Sequence, residues 1–160
     1  MDVFKLSGAI FISLGGILGS LYLNGRVEKR RREAEAALEL LKYFKEQILS
    51  FGMPLNEMLR RCPRRTLEDC GLSLERDVYM SSEELSRCCA AADEMTRKNL
   101  SSFFAAFGKS GISEQVAECD VFIGRCSERY ARLSADAPKQ KKVNVALCIS
   151  ASLALIIIML

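Results

Sequence analysis

Histidine is absent from the 160 residues, and its absence removes most catalytic constellations at once. Without it there is no Ser-His-Asp triad, no Cys-His pair and no H-E-x-x-H metal site. The seven cysteines (62, 70, 88, 89, 119, 126 and 148) provide no C-x-x-C spacing. With no histidine to complete a mixed zinc site, they read as small apolar packing residues. No stretch alternates in the way several half-buried strands would require. Neither a catalytic site, a bound metal nor any cofactor is therefore expected. One string imitates a nucleotide loop, Gly108-Lys109-Ser110. A phosphate-binding loop needs a glycine five residues before Gly108 so that backbone amides can wrap the phosphates. Phe103 stands there, at the end of a stretch that reads as helix.

What the chain does have is apolar ends and a charged middle. Leu6–Gly25 and Val143–Leu160 carry no charged residue. As helices they reach roughly 27–30 Å, about one hydrocarbon core. The first run reads as a retained span rather than a cleaved signal. Only Lys5 precedes it, the positive charge lies behind it, and no small-residue cleavage site stands near Leu21–Gly25. Arg26, Lys29, Arg30, Arg31 and Arg32 follow the first span, and Lys139, Lys141 and Lys142 precede the second. Basic residues near span ends mark the cytosolic side. Both clusters belong to the intervening segment, which places it in the cytosol, with its six cysteines reduced and both termini outside. The expected organisation is a membrane helix at 6–25, a cytosolic helical bundle at 26–142 and a membrane helix at 143–160. The last is expected to anchor without delivering anything beyond it.

Within the middle, Ala34, Ala37, Leu38, Leu41, Phe44 and Ile48 follow the three-four spacing of one helical face, predicting a helix over Val27–Ser50. Gly52 suits its C-terminus, and Pro54 the first turn of a short helix with Leu55, Met58 and Leu59 facing inward. From Pro63 to Met80 only short or irregular helix is expected, with Thr66 as a cap and Gly71 as an interruption. Ser81 or Ser82, followed by Glu83 and Glu84, predicts a capped helix running to Phe107, with Leu85, Cys88, Cys89 and Ala92 on one inner stripe and Leu100, Phe103, Phe104 and Phe107 on another. Ser113 reads as the cap of a last helix. In that helix Val116, Cys119, Ile123, Cys126, Tyr130, Leu133 and Ala137 step by three and four; this fits the core face of an antiparallel bundle, or a short coiled-coil seam. Pro138 is placed to kink the chain before the second span. The fold class is thus an all-α, antiparallel cytosolic bundle flanked by two transmembrane helices.

Three surface features remain. The Arg26–Arg32 cluster marks topology and faces anionic headgroups. Arg60, Arg61, Arg64 and Arg65 read either as a solvated loop or as a dock for an acidic partner surface. Glu114 and Glu118 on the last helix are a second candidate contact. Lys and Arg number 23 against 20 Asp and Glu, and this near balance leaves no basic face for nucleic acid. In the spans, Gly8, Gly15 and Gly19, and Ala146, Ser150 and Ala154, are candidate packing faces, for each other or for neighbouring copies in a homo-oligomer.

The order of these segments resembles the stage III sporulation protein AB family of endospore-forming bacteria. The resemblance rests on a Gly-rich span and basic stretch, then LELLKYFKEQILSFGMPLNEML, FFAAFGKSGISEQV and the closing APKQKKVNVALCISASLALIIIML. It covers nearly the whole chain and is loosest over Arg60–Met80. The resemblance implies a part in the channel complex between mother cell and forespore, with the chain in the mother cell membrane around the forespore. It also implies a cytosolic domain like the inner-membrane platform protein of type II secretion and type IV pilus systems. The implied partners are a secretion-type ATPase, stage III sporulation protein AA, with other channel subunits and the bilayer. Two other readings stay open: a membrane-anchored regulatory adaptor dimerising through the Val116–Ala137 seam, and a redox enzyme using Cys88 and Cys89.

Overall fold

The computed structural model of the chain describes residues 3–72 and 79–159, with side chains over 7–72 and 79–158. Six helices follow in order: α1 (Val3–Phe51), α2 (Leu55–Arg61), α3 (Arg64–Asp69), α4 (Ser82–Cys88), α5 (Glu94–Ala106) and α6 (Ile112–Met159). Among the described residues there is no strand, so the all-α expectation holds. The chain divides into a terminal unit, Met1–Lys29 with Ser134–Leu160, and a central unit, Arg30–Leu133. Both divisions fall inside helices, because α1 and α6 run unbroken from apolar to charged sequence. Pro138 sits inside α6 without ending it.

In the terminal unit α1 and α6 come into close contact at Gly16. A methyl group there would collide with the Ser152 hydroxyl and press within 3.3 Å of the Cys148 carbonyl oxygen. Glycine is what lets the two backbones come this near. The contact continues past the apolar runs: Asn144 Nδ2 donates to Asn24 Oδ1 at 3.2 Å, and Lys141 Nζ meets Glu28 Oε2 at 2.8 Å. These polar clasps explain why the unit extends to 29 and 134, beyond the ends of the apolar composition. Outward, the pair presents Phe11, Leu18, Ile157 and Ile158, each well over half exposed. Large apolar side chains on the outside, with small and polar ones between, are the arrangement of helices solvated by lipid. Each helix carries a stretch long and apolar enough to cross a membrane.

The central unit has the opposite texture. Ala37, Leu40, Leu41, Phe44 and Ile48 of α1 are buried against Leu100, Phe103 and Phe104 of α5 and Cys119, Phe122 and Cys126 of α6. Phe44 is at the centre: it stacks on Phe103 at 6.0 Å and meets Phe104 edge-on at 6.1 Å, while Phe103 meets Phe122 edge-on at 5.6 Å. Such aromatic pairs add roughly 0.5–1.5 kcal/mol each beyond the area they bury. Met58 of α2, Leu67 of α3 and Leu85 of α4 close the remaining sides.

Three sequence expectations are corrected here. The helix expected from Ser81 to Phe107 is two helices, broken at Cys89–Asp93. Ser81 does begin the first with a full capping box, Ser81 and Glu84 each accepting the other's backbone N–H. The Ala90–Ala92 run would favour helix by propensity, but tertiary groups claim its amides. Ala90 N donates to Gly71 O at 3.0 Å, and Ala92 N and Asp93 N donate to Glu33 Oε2 at 2.8 and 3.0 Å. Gly71 permits this approach: its φ is +77°, and an added Cβ would lie 2.6 Å from Ala91 N. In consequence Leu85, Cys89 and Ala91 face inward while Cys88 and Ala92 are exposed. Second, Ser113 is inside the first turn of α6 rather than its cap, since the helix already starts at Ile112 and Gln115 N bonds to Gly111 O. Third, Thr66 lies within α3, whose N-cap position is Pro63. Residues 73–78 of the expected irregular segment lie outside the described residues.

Candidate docking surface

The four arginines are not on a loop. Arg60 and Arg61 end α2, Arg64 and Arg65 begin α3, and only Cys62 and Pro63 separate the helices. Helical spacing then supplies partners one turn away. Arg61 pairs with Glu57 at 2.6 Å, Arg64 with Glu68 at 3.2 Å and Arg65 with Asp69 at 3.9 Å. All three pairs are solvent-exposed and worth a few tenths of a kcal/mol each. Their effect on the surface is larger than their effect on stability, because they cancel most of the charge the sequence seemed to offer. Among the described residues Arg60 pairs with no carboxylate.

Around Arg60 the surface is concave. A cleft of about 540 Å³ is lined by Pro54, Asn56, Glu57, Arg60, Arg61 and Tyr79. A second, of about 450 Å³, shares Pro54 and Asn56 with it and continues over Gly52, Met80, Phe107 and Ile112. The turns that end α1 and α5 build this wall, with Gly52 at φ +54° and Gly108 at φ +83°. Gly108-Lys109-Ser110 is part of the α5–α6 turn, and Gln115 Nε2 fastens it by donating to Ser110 O at 2.8 Å. Asn56 Oδ1 accepts from Met80 N at 3.2 Å and so joins α2 to the segment ahead of α4.

Glu114 and Glu118 lie in the first two turns of α6, where negative charge complements the helix dipole. Glu114 is exposed and Glu118 half-buried. No hydrogen bond or ion pair among the described residues connects them with the four arginines. In the terminal unit, a Cβ added at Gly19 would lie 3.8 Å from Cys148 Sγ, and Gly8 is half-buried. Gly15 has nothing within 4 Å of an added Cβ, and Ala146, Ser150 and Ala154 are exposed. Contacts across the helix pair come from Gly16, Gly19, Asn24, Asn144, Cys148 and Ser152.

Sequence reading missed a polar network elsewhere in the central unit. Asp93 caps α5 by accepting from Thr96 N at 3.0 Å, and Arg129 of α6 grips it from the side, Nε donating to Oδ2 at 3.0 Å and Nη2 to Oδ1. Burial pushes the Asp93 carboxyl pKa up, but the Arg129 and Thr96 hydrogen bonds outweigh it and hold the group below the usual carboxylate range. With Glu33 on the Ala92 and Asp93 amides, one acidic side chain from α1, one cap and one arginine tie α1, α5 and α6 together. Asp93 three residues before Thr96 was a visible cap signal. Its partners are 60 and 36 residues away, where no local pattern reaches.

Five cysteines are buried, Cys88 is exposed and Cys148 is half-buried. Burial pushes the Cys62, Cys119 and Cys126 thiols up to about 11 and Cys89 to about 12. Cys70 rises furthest, through burial and then the neighbouring Cys62 and Cys89. Thiols held protonated in a core are poor nucleophiles, and the Cys88-Cys89 pair is split between surface and interior. Among the described residues no group of three or more cysteine or acidic side chains could hold a metal ion.

The family model for stage III sporulation protein AB matches residues 5–160. The chain belongs to that family. No curated protein and no solved structure matches it. The match spans both apolar runs and the whole central unit, so membrane association and a part in sporulation extend to the full layout described above.

Proposed function

We propose that this stage III sporulation protein AB family member is a membrane platform of the mother cell–forespore channel complex. It couples a secretion-type ATPase to the membrane apparatus and has no catalytic step of its own. The supporting observation is a lipid-type helix pair joined to a central bundle that carries an open, concave surface beside Arg60. Basic residues flank both spans on the central side, which by charge bias puts the bundle in the mother cell cytosol, on the side where ATP is available. Association with further copies would use the outward small residues Gly15, Ala146, Ser150 and Ala154.

The test is binding between the full-length chain in lipid nanodiscs and the purified secretion-type ATPase of the same sporulation system, at low and high salt. Saturable binding that weakens with salt supports the platform. No binding to several copies gathered in one membrane patch contradicts it and leaves the adaptor reading, which predicts dimers through α6 instead.

A further inference from the structure

We infer that the twin cleft beside Arg60 takes an acidic segment of a partner protein that carries a large apolar anchor side chain. The inference deepens the platform reading and rests on it for where the partner comes from, not for its chemistry. Four observations converge. The two hollows adjoin through Pro54 and Asn56 and form one continuous surface. Among the described residues, none that lines the half near Ile112 is charged. Among the described residues, the half near Tyr79 carries Arg60 and Arg61 against Glu57, which is already held by Arg61. Two lining residues are large side chains given up to solvent: Tyr79 is 77% exposed and Ile112 61%.

An occupant must match both halves. An apolar side chain buried over Ile112 and Phe107 removes water from surface that the fold leaves uncovered. A carboxylate beside it reaches Arg60, whose planar guanidinium suits a bidentate partner and which needs no existing bridge broken to engage. A basic occupant would meet two arginines and a neutral wall. Exposed aromatic and arginine side chains next to one concave wall are also the composition of interface anchors. The Asn56–Met80 bond and two glycine turns at positive φ shape the wall before any partner arrives, which lowers the ordering cost of binding.

The test uses the full-length chain in nanodiscs and two fluorescent peptides, each with a central Leu-Phe pair, one flanked by glutamates and one by lysines. The acidic peptide is expected to bind at least tenfold more tightly, with Arg60→Glu and Ile112→Asp each weakening it about tenfold. Both positions are exposed, and an unchanged helical melt shows that the variants fold. Equal binding of the two peptides, binding of neither, or indifference to both substitutions overturns the inference. A second arm repeats the ATPase measurement with Arg60→Glu. If wild type binds the ATPase and the variant binds equally well, the cleft is not the dock while the platform reading stands. If the acidic peptide binds as described but the ATPase does not, the cleft's chemistry stands and the platform reading fails.

Discussion

The two units of this chain solve one problem, helix against helix, with opposite materials. The terminal pair turns its largest side chains outward and closes on Gly16, Ser152 and an Asn24–Asn144 hydrogen bond. The central unit turns its largest side chains inward and closes on Phe44 and its aromatic neighbours. In lipid, burying a leucine gains little, and association comes from close backbone approach and interhelical polar contacts. In water, removing apolar surface is the dominant gain. The difference teaches that apolar content does not say which way a helix faces. Solvent does, and α1 obeys both rules along one unbroken helix.

The comparison can be broken most severely in the aqueous core. Phe44→Ala should cost about 3–5 kcal/mol, read as a lower denaturation midpoint of the full chain in detergent with the terminal helices still formed. Next comes the polar tie. Arg129→Ala leaves the Asp93 carboxylate buried without its cation and should cost about 3 kcal/mol. Because the folded Asp93 pKa is depressed, its contribution is complete above the unfolded value near 3.9 and is lost as pH falls through the folded value. An acid titration of wild type and variant should therefore converge at low pH. A smaller effect belongs to the terminal pair. Gly16→Val should separate the helices at about 1–2 kcal/mol, whereas Gly15→Val, on the open side, should leave their proximity by fluorescence transfer unchanged. Equal effects at 15 and 16 would refute the assigned seam. Smallest is Arg65→Ala, which removes only an exposed, stretched ion pair and should shift stability by less than about 0.5 kcal/mol.

The buried thiols sharpen the same contrast through pH. Their folded pKa values are raised, so the stability they contribute is complete below the unfolded value near 8.5. It declines as pH rises from there through about 11. A denaturation midpoint that stays level to pH 8.5 and then falls checks this. A flat profile to pH 11 would mean that the thiols are not in the core.

Periodicity carried much of the fold. The α1 face from Ala34 to Ile48 and the α6 steps at Cys119 and Cys126 are core positions. What it could not carry were decisions made by distant groups. Ala90–Ala92 would be helical if Glu33 and Gly71 did not take its amides. The arginines looked like a patch because their carboxylates, one turn away, become neighbours only once α2 and α3 form. Tyr79 and Ile112 gave no pattern at all, since residues that line a cleft from separate turns have no period.

The central claim is that the bundle and its cleft lie on the cytosolic side of the membrane, and Cys88 reports on it directly. It is the exposed thiol of the central unit, while the others described there are buried. The measurement is labelling by a membrane-impermeant maleimide in intact vegetative cells that carry the chain in their surface membrane and in inside-out vesicles made from them, with Cys88→Ser as the control. Labelling confined to inside-out vesicles, and lost in the control, is the predicted result. Cys88-dependent labelling of intact cells would put the bundle outside, beyond the reach of any ATP-driven partner, and would contradict the account.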